Sequence, residues 1–353
     1  MRKLSITLIS LLLFFVTACS STDFDRKAML QNAANNLIIP AYMDFNQKTD
    51  SLLNSVQRLN ENPNSKTLAT AQNAWKETIL SWKRAELYNF GPVEEKALAG
   101  SIDRWPTSEG GIESAIQEYD NSENYLVRIG SNRKGLPAIE YLLFHGNEDL
   151  IIQEFQNENR KRYLELLSKS LVNNSELILD EWEGGYQQKF IEATGNRPNS
   201  GLTLMANEIG FLLEMVRMDK LEVPFGKQTG GVLRLQMLES EYAHISKELI
   251  YENLKSAQNT FNGGEGKGFD DYLDALGIKG ANGSLLSESI NAEYDNASSL
   301  IEGMDGSLEE AMQNNKQSVE QLIESVQQLY IYNEVDMISQ LSLLDTFSDN
   351  DGD

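Results

Sequence analysis

The residue in this chain best placed to do chemistry is Glu140. It lies in Gly135-Leu136-Pro137-Ala138-Ile139-Glu140-Tyr141-Leu142-Leu143-Phe144, a run that is apolar on nearly every side. Such a segment reads as a buried helix, and Pro137 suits its first turn, where the missing N–H costs nothing. Glu140 follows on the same face at i+3. A buried carboxylate is costly unless it is paired, protonated or bound to a cation. Two readings stand: Glu140 is half of an ion pair with Arg104, Arg217 or Lys220, or it is a ligand or an acid/base group. A second stretch gathers acids, aromatics and an arginine, running Glu86-Leu87-Tyr88-Asn89-Phe90-Gly91-Pro92-Val93-Glu94 and then Ser101-Ile102-Asp103-Arg104-Trp105-Pro106. Loops closing a helical hairpin carry function more often than bundle interiors do. Glu94, Asp103, Arg104 and Trp105 therefore join Pro137 and Glu140 as the binding candidates.

Several familiar chemistries are absent. Only two histidines occur, His145 and His244, so a three-histidine zinc site is excluded and a Ser-His-Asp triad has few candidates. No Gly-x-Ser-x-Gly and no His-Glu-x-x-His is present, and no residue is assigned a catalytic role. The run Gly263-Gly264-Glu265-Gly266-Lys267-Gly268 is followed by Phe269 where a phosphate loop needs Ser or Thr, and no strand precedes it. It reads as a flexible connector between helices. The closing Asp349-Asn350-Asp351-Gly352-Asp353 lacks the ligand positions of an EF-hand.

The elements that must position these residues are helical. Leu68, Ala71, Trp75, Ile79, Trp82 and Leu87 recur at spacings of three to five, the stripe of an amphipathic helix, with the Trp pair as a packing ridge. Similar periods run through Glu148–Trp182, Leu202–Leu221, Leu235–Phe261, Leu285–Ile301 and Leu308–Leu344, while alternating strand patterns are missing. Breaks fall at Asn62-Pro63, Gly91-Pro92, Trp105–Gly111, Gly130–Gly135, Gly195–Gly201, Val223–Gly231, Asn262–Gly268 and Gly277–Gly283. Pro40 should kink or split the periodic segment from Ala28 to Leu59. The expected fold is all-α, two packed up-and-down helical bundles, the first over residues 25–180 and the second over 181–353.

The N-terminus reads as an export signal. Arg2 and Lys3 precede an uncharged stretch from Leu4 to Thr17, too short for a full membrane span. Val16-Thr17-Ala18-Cys19 forms a lipobox, so residues 1–18 are expected to be a signal peptide, Cys19 the lipidation site and residues 19–24 a tether. Cys19 is the sole cysteine, which leaves the mature chain without disulfides, thiolate metal ligands or a cysteine nucleophile. Ser20 favours the outer membrane, whereas Asp23 and Asp25 favour surface display; the protein is expected in the cell envelope, facing periplasm or exterior. The whole sequence carries 30 basic and 53 acidic residues; cleavage removes two basic and no acidic ones, leaving a net charge of −25. Such a surface repels nucleic acid and concentrates cations. The partner expected from these features is the lipid bilayer, through Cys19.

These segments, taken in order, resemble the imelysin family, which includes an insulin-cleaving membrane peptidase and iron-regulated proteins. The likeness begins at Asn36-Leu37-Ile38-Ile39-Pro40-Ala41-Tyr42 and passes through Phe90-Gly91-Pro92-Val93, Ile102-Asp103-Arg104-Trp105-Pro106 and Gly135–Phe144. It continues through Asp219-Lys220-Leu221-Glu222-Val223-Pro224-Phe225-Gly226 and ends on Phe347–Asp353. The resemblance implies two helical bundles, export, membrane association and a link to iron acquisition, with an iron-uptake protein of the envelope as a partner. The family's signature is Gly-x-His-x-x-Glu; Gly135 and Glu140 match it, but Pro137 replaces the histidine and has no lone pair for a metal. What the signature then implies is a modified site of carboxylates, Glu140, Asp103 and Glu94, suited to a hard cation such as iron or calcium. Three functions follow as expectations: a non-catalytic envelope protein for iron or haem uptake with a site between the bundles, a metallopeptidase of the imelysin type, or a scaffold without a small ligand. For the anchor, Cys19→Ala should release the protein from membranes on fractionation. Unchanged partition of that variant would refute the lipoprotein assignment.

Overall fold

The computed structural model describes residues 24–122 and 124–346. The expected signal peptide, Cys19 and the Asp349–Asp353 stretch lie outside the described residues. Asp25 opens α1 (Arg26–Asn32) by accepting from the Ala28 N–H. A widened turn, Ala33–Ile38, leads without interruption into α2 (Ile39–Glu61), with Pro40 in its first turn. Pro40 therefore does not break the rod: the wide turn Ala33–Ile38 shifts the helical register just before it and accommodates its ring and missing N–H. Asn64 caps α3 (Ser65–Ala85) in a reciprocal box with Thr67. Short helices α4 (Pro92–Glu95), α5 (Ala99–Ile102) and α6 (Glu109–Glu118) then lead to α7 (Gly135–Phe144), α8 (Glu148–Glu154) and α9 (Glu158–Glu181). The second half comprises α10 (Gln187–Glu192), α11 (Gly201–Met215), α12 (Val223–Phe225), α13 (Ser246–Asn262), α14 (Phe269–Leu276), α15 (Leu286–Glu302), α16 (Leu308–Asn314), α17 (Lys316–Ile331) and α18 (Ile338–Gln340).

Among the described residues there is no sheet, only an isolated bridge between Lys279 and Leu285. The fold is all-α. Helices α2, α3, α7 and α9 pack as one set and α11, α13, α15 and α17 as another, with α3 against α13 at the junction. One apolar core runs through both sets. Trp75 and Trp82 are fully buried; Trp82 meets Phe45 at 5.1 Å between ring centroids, and the Trp75 indole N–H donates to the Leu136 carbonyl at 2.9 Å. The Trp ridge thus ties α3 to α2 and α7. The chain crosses between the sets at both ends of the first half: α1 packs on α10 and α11, and Trp182 lies on Tyr42 and Phe90.

Two local features decide where the candidate residues sit. Gly135 has φ +76°, and a Cβ there would stand 2.3 Å from the Ile102 carbonyl oxygen. The start of α7 therefore rests directly on the end of α5, which fixes Asp103 beside α7. The second feature differs from the sequence reading. Leu235–Phe261 was expected to be one helix, but α13 starts only at Ser246. Leu238–Ile245 is irregular, with positive φ at Ser240 and His244. Two of its N–H groups, those of Tyr242 and Ala243, bond to the buried Glu140 carboxylate, a tertiary partner that local periodicity cannot reveal. Gly135→Ala should cost about 2–4 kcal/mol in a urea melt, from left-handed strain plus the backbone clash. Gly110→Ala, with open space around it, should stay within about 1 kcal/mol of wild type. Equal stabilities would contradict the close approach.

Candidate functional site

The junction of the two helix sets holds a buried cluster of charges. Lys83, in the last turn of α3, is fully buried, and Glu86 follows it. Asp103 caps the C-terminus of α5. Lys220 sits in a widened helical turn, Val216–Glu222, that continues α11. Glu239 comes from the irregular segment and Asn253 from α13. The Lys83 ammonium lies 3.0 Å from both Glu86 oxygens, 2.6 Å from Glu239 Oε1, and in contact with Asp103 Oδ2. The Lys220 ammonium lies 2.8 Å from Glu239 Oε2 and 2.6 Å from Asn253 Oδ1, and 3.6 Å from Glu86. Asn253 closes the ring by donating to Glu86 at 2.9 Å. The Trp105 ring stands 5.5 Å and 5.2 Å from the two ammonium groups, within cation–π range.

Two cations therefore serve three carboxylates, and the titration follows from that shortage. Burial acts against charge on Lys83, but Asp103, Glu239 and Glu86 outweigh it and hold its pKa well above the ordinary value. Burial would raise Glu86, yet Lys220 and Lys83 bring it down to about 2. Asp103 is pushed up to about 6, by burial first, with Lys83 opposing and Glu239 and Glu86 adding. One Asp103 oxygen, Oδ1, has no hydrogen-bond donor.

Glu140 lies next to this cluster but outside its pairing. Its Oε1 accepts from the Ser240 hydroxyl at 3.0 Å and from the N–H groups of Tyr242 and Ala243 at 3.0 and 2.8 Å. None of the expected cations pairs with it. Arg217 binds Glu222, Lys220 belongs to the cluster, and Arg104 is exposed with Asp219 as its electrostatic neighbour. Burial raises the Glu140 pKa to about 8 against the pull of its three donors, and Glu239 adds to the rise. Glu140, Pro137, Trp105 and Ser240 border a crevice of about 10 Å³, roughly the space of one water.

A family model described as Imelysin matches residues 38–331. The chain belongs to the imelysin family. Its fold is similar to that of an imelysin-like protein from Psychrobacter arcticum 273-4, at 19% identity and a TM-score of 0.75, covering 91% of this chain and 97% of that one. A protein from Parabacteroides distasonis ATCC 8503, described as an iron-regulated protein A precursor, aligns at 18% identity and a TM-score of 0.74, covering 88% and 94%. At these identities the likeness carries the fold alone. No curated protein sequence matches.

In this imelysin-family chain the structure gathers Asp103, Trp105, Pro137 and Glu140, and leaves two sequence candidates apart. Arg104 points to solvent beside the cluster. Glu94 is exposed on α4, with Glu208 and Tyr186 as its electrostatic neighbours, so it does not converge with Asp103 and Glu140. The carboxylates that do converge are Glu86, Asp103 and Glu239, with oxygens within 4.8 Å of one another. The space a cation would need among them is taken by the Lys83 ammonium. Metal-ligand oxygens and two charged lysines do not fit together, so the residues present do not suit a resident ion. Lys83, Glu239 and Asn253 were missed in the sequence, while Lys220 was named only as a partner for Glu140 and Glu86 only within the Glu86–Glu94 stretch; the available signal was a lysine on an apolar stripe, Lys83 four residues after Ile79 and Lys220 four after Val216.

Folding raises the Glu140 pKa, so its contribution to stability is complete below the ordinary carboxylate value and is lost as pH climbs through about 8. Glu140→Gln keeps an oxygen for the three donors and removes the titration. Urea melts should show the variant gaining on wild type by roughly 3 kcal/mol between pH 5 and pH 8. A constant large loss at every pH would mean that Glu140 stabilises the fold as an anion.

Proposed function

We propose that the protein is a non-catalytic cell-envelope lipoprotein of the imelysin type, acting in iron or haem acquisition together with an envelope partner protein and holding no ion of its own in the buried cluster at the junction of its two helix sets. The observation that carries the non-catalytic part is the position of Lys83. A metallopeptidase needs an open cation with exchangeable water at its carboxylates; here an ammonium group stands among them. Pro137 supplies neither a metal ligand nor a proton carrier. The two histidines are engaged elsewhere: His145 packs on Tyr141 and Tyr242, and His244 faces Glu309 at 3.0 Å.

The iron assignment draws support from the family resemblance and from the iron-regulated name of one structural neighbour. The anchor rests on the lipobox ending at Cys19. Among the described residues no helix is long and apolar enough to cross a membrane, so lipid at Cys19 would supply the attachment. A deletion strain should grow more slowly than its parent under iron limitation and recover when the gene is restored. Equal growth with and without an iron chelator would contradict the iron role. The purified protein should not hydrolyse insulin or casein above buffer; hydrolysis that a chelator stops and metal restores would establish a peptidase instead.

A further inference from the structure

Four of the eight large apolar side chains that are exposed among the described residues gather on one flank: Phe211, Ile331, Val335 and Leu344. Val335 is 62% exposed, Leu344 47% and Phe211 42%. Three segments bring them together. The Asn333 side chain donates to the Ala206 carbonyl of α11 at 2.9 Å, which lays the widened turn Tyr332–Met337 on that helix. Ile331 and Val335 stand about one turn apart there. The next residue of α11, Asn207, donates to the Leu344 carbonyl at 2.9 Å and accepts from the Thr346 N–H at 2.8 Å. Phe211 follows Asn207 by one turn of the same helix. A single exposed valine or leucine needs no explanation, but an apolar group drawn from three segments marks an interaction surface.

The surroundings say what that surface meets. The Arg26 guanidinium, at the start of α1, binds the Asn196 side chain, which in turn donates to the Ser342 carbonyl at 2.9 Å, just before Leu344. Phe24 is stacked on Tyr272 at 4.4 Å between ring centroids, so the point from which any tether leaves the fold is fixed. From Cys19 to Phe24 the chain reaches no farther than about 18 Å even fully extended. Lipid on Cys19 would therefore hold the start of α1, and Leu344 with it, close to a bilayer. Glu334, beside Val335, has its Oε2 buried without a hydrogen-bond partner. Burial pushes its pKa up to about 8, with Asn333 opposing and Asp345 and Glu214 adding, so at neutral pH it brings little charge to this flank. Asp336 and Asp345 border the surface and disfavour an anionic face, which suits zwitterionic headgroups.

We propose that Phe211, Val335 and Leu344 rest on the zwitterionic lipid leaflet that carries the anchor, seating the protein on its α11–α17 flank. The inference rests on the lipoprotein reading above and adds a second point of contact to the acyl chains. Side chains of this size reach only the boundary of headgroups and acyl chains, so the contact does not replace the anchor; it orients a protein already tethered.

The test uses the acylated full chain on vesicles of phosphatidylcholine and phosphatidylethanolamine. With Cys19 acylated and no other cysteine in the sequence, Val335→Cys, Leu344→Cys and Val127→Cys each offer one thiol to a nitrobenzoxadiazole label. Val127, 81% exposed on the turn Tyr125–Val127 that follows α6, is the control. The label at positions 335 and 344 should brighten about twofold on vesicles and be quenched by doxyl-labelled lipid, whereas at 127 it should do neither. Phosphatidylglycerol should add nothing. An equal response at all three positions, or a response that requires phosphatidylglycerol, in a chain that still floats with the vesicles overturns the docking alone. A chain that does not float with the vesicles overturns the anchor, and the docking with it.

Discussion

The Lys83 ammonium, fully buried among Glu86, Asp103 and Glu239, sets the conditions for much of the molecule. A charge taken from water costs several kcal/mol, and its partners repay that cost only when their geometry is held. The holding comes from both helix sets. The last turn of α3 supplies Lys83, the close approach of Gly135 to Ile102 places Asp103, and a widened turn after Met215 turns Lys220 inward. Asn253 of α13 spans the junction by binding both Glu86 and Lys220. Separating the helix sets would strand five charged groups at once, so the cluster makes the relative position of the sets specific as well as favourable.

Glu140 has a different task from the one its motif position suggests. The shortage of cations leaves it without a counter-ion, and burial keeps its carboxyl neutral through most of the physiological range. Its bonds reach the backbone of a segment with two strained residues, Ser240 and His244. Strain of this kind persists only where surrounding contacts over-determine it. The motif glutamate thus ties α7 to the segment that carries Glu239 into the buried cluster. Pro137 fits this account without a metal, as an N-terminal residue of α7 that leaves the first turn free of an unmatched donor.

Much of the fold was legible in the sequence because helical periodicity reports burial directly. The Trp75–Trp82 ridge, the Gly135–Phe144 helix and the turn at Asn62-Pro63 appear where the pattern puts them. The site was legible only in part. Asp103, Trp105, Pro137 and Glu140 stand out by type and context, but the apolar stripes that carry Lys83 and Lys220 do not say which distant carboxylates they meet. Glu94 shares its loop's composition with Asp103, yet Glu94 is exposed on α4 while Asp103 is buried at the end of α5. The Leu238–Ile245 segment carries an apolar period that continues into α13, but the Tyr242 and Ala243 N–H groups bond to Glu140 and Ser240 and His244 have positive φ, so it is irregular.

Lys83 occupies, as part of the chain, the position a metal ion would hold among Glu86, Asp103 and Glu239. Thermal melts of wild type and Lys83→Met, each with and without ferric iron or calcium, probe this substitution of ammonium for metal. Wild type should show no metal-dependent change, whereas Lys83→Met should lose about 3–5 kcal/mol from the uncompensated carboxylates and recover part of that loss when the cation is added. A metal-dependent rise in the wild-type melting temperature, abolished by Asp103→Asn, would contradict it.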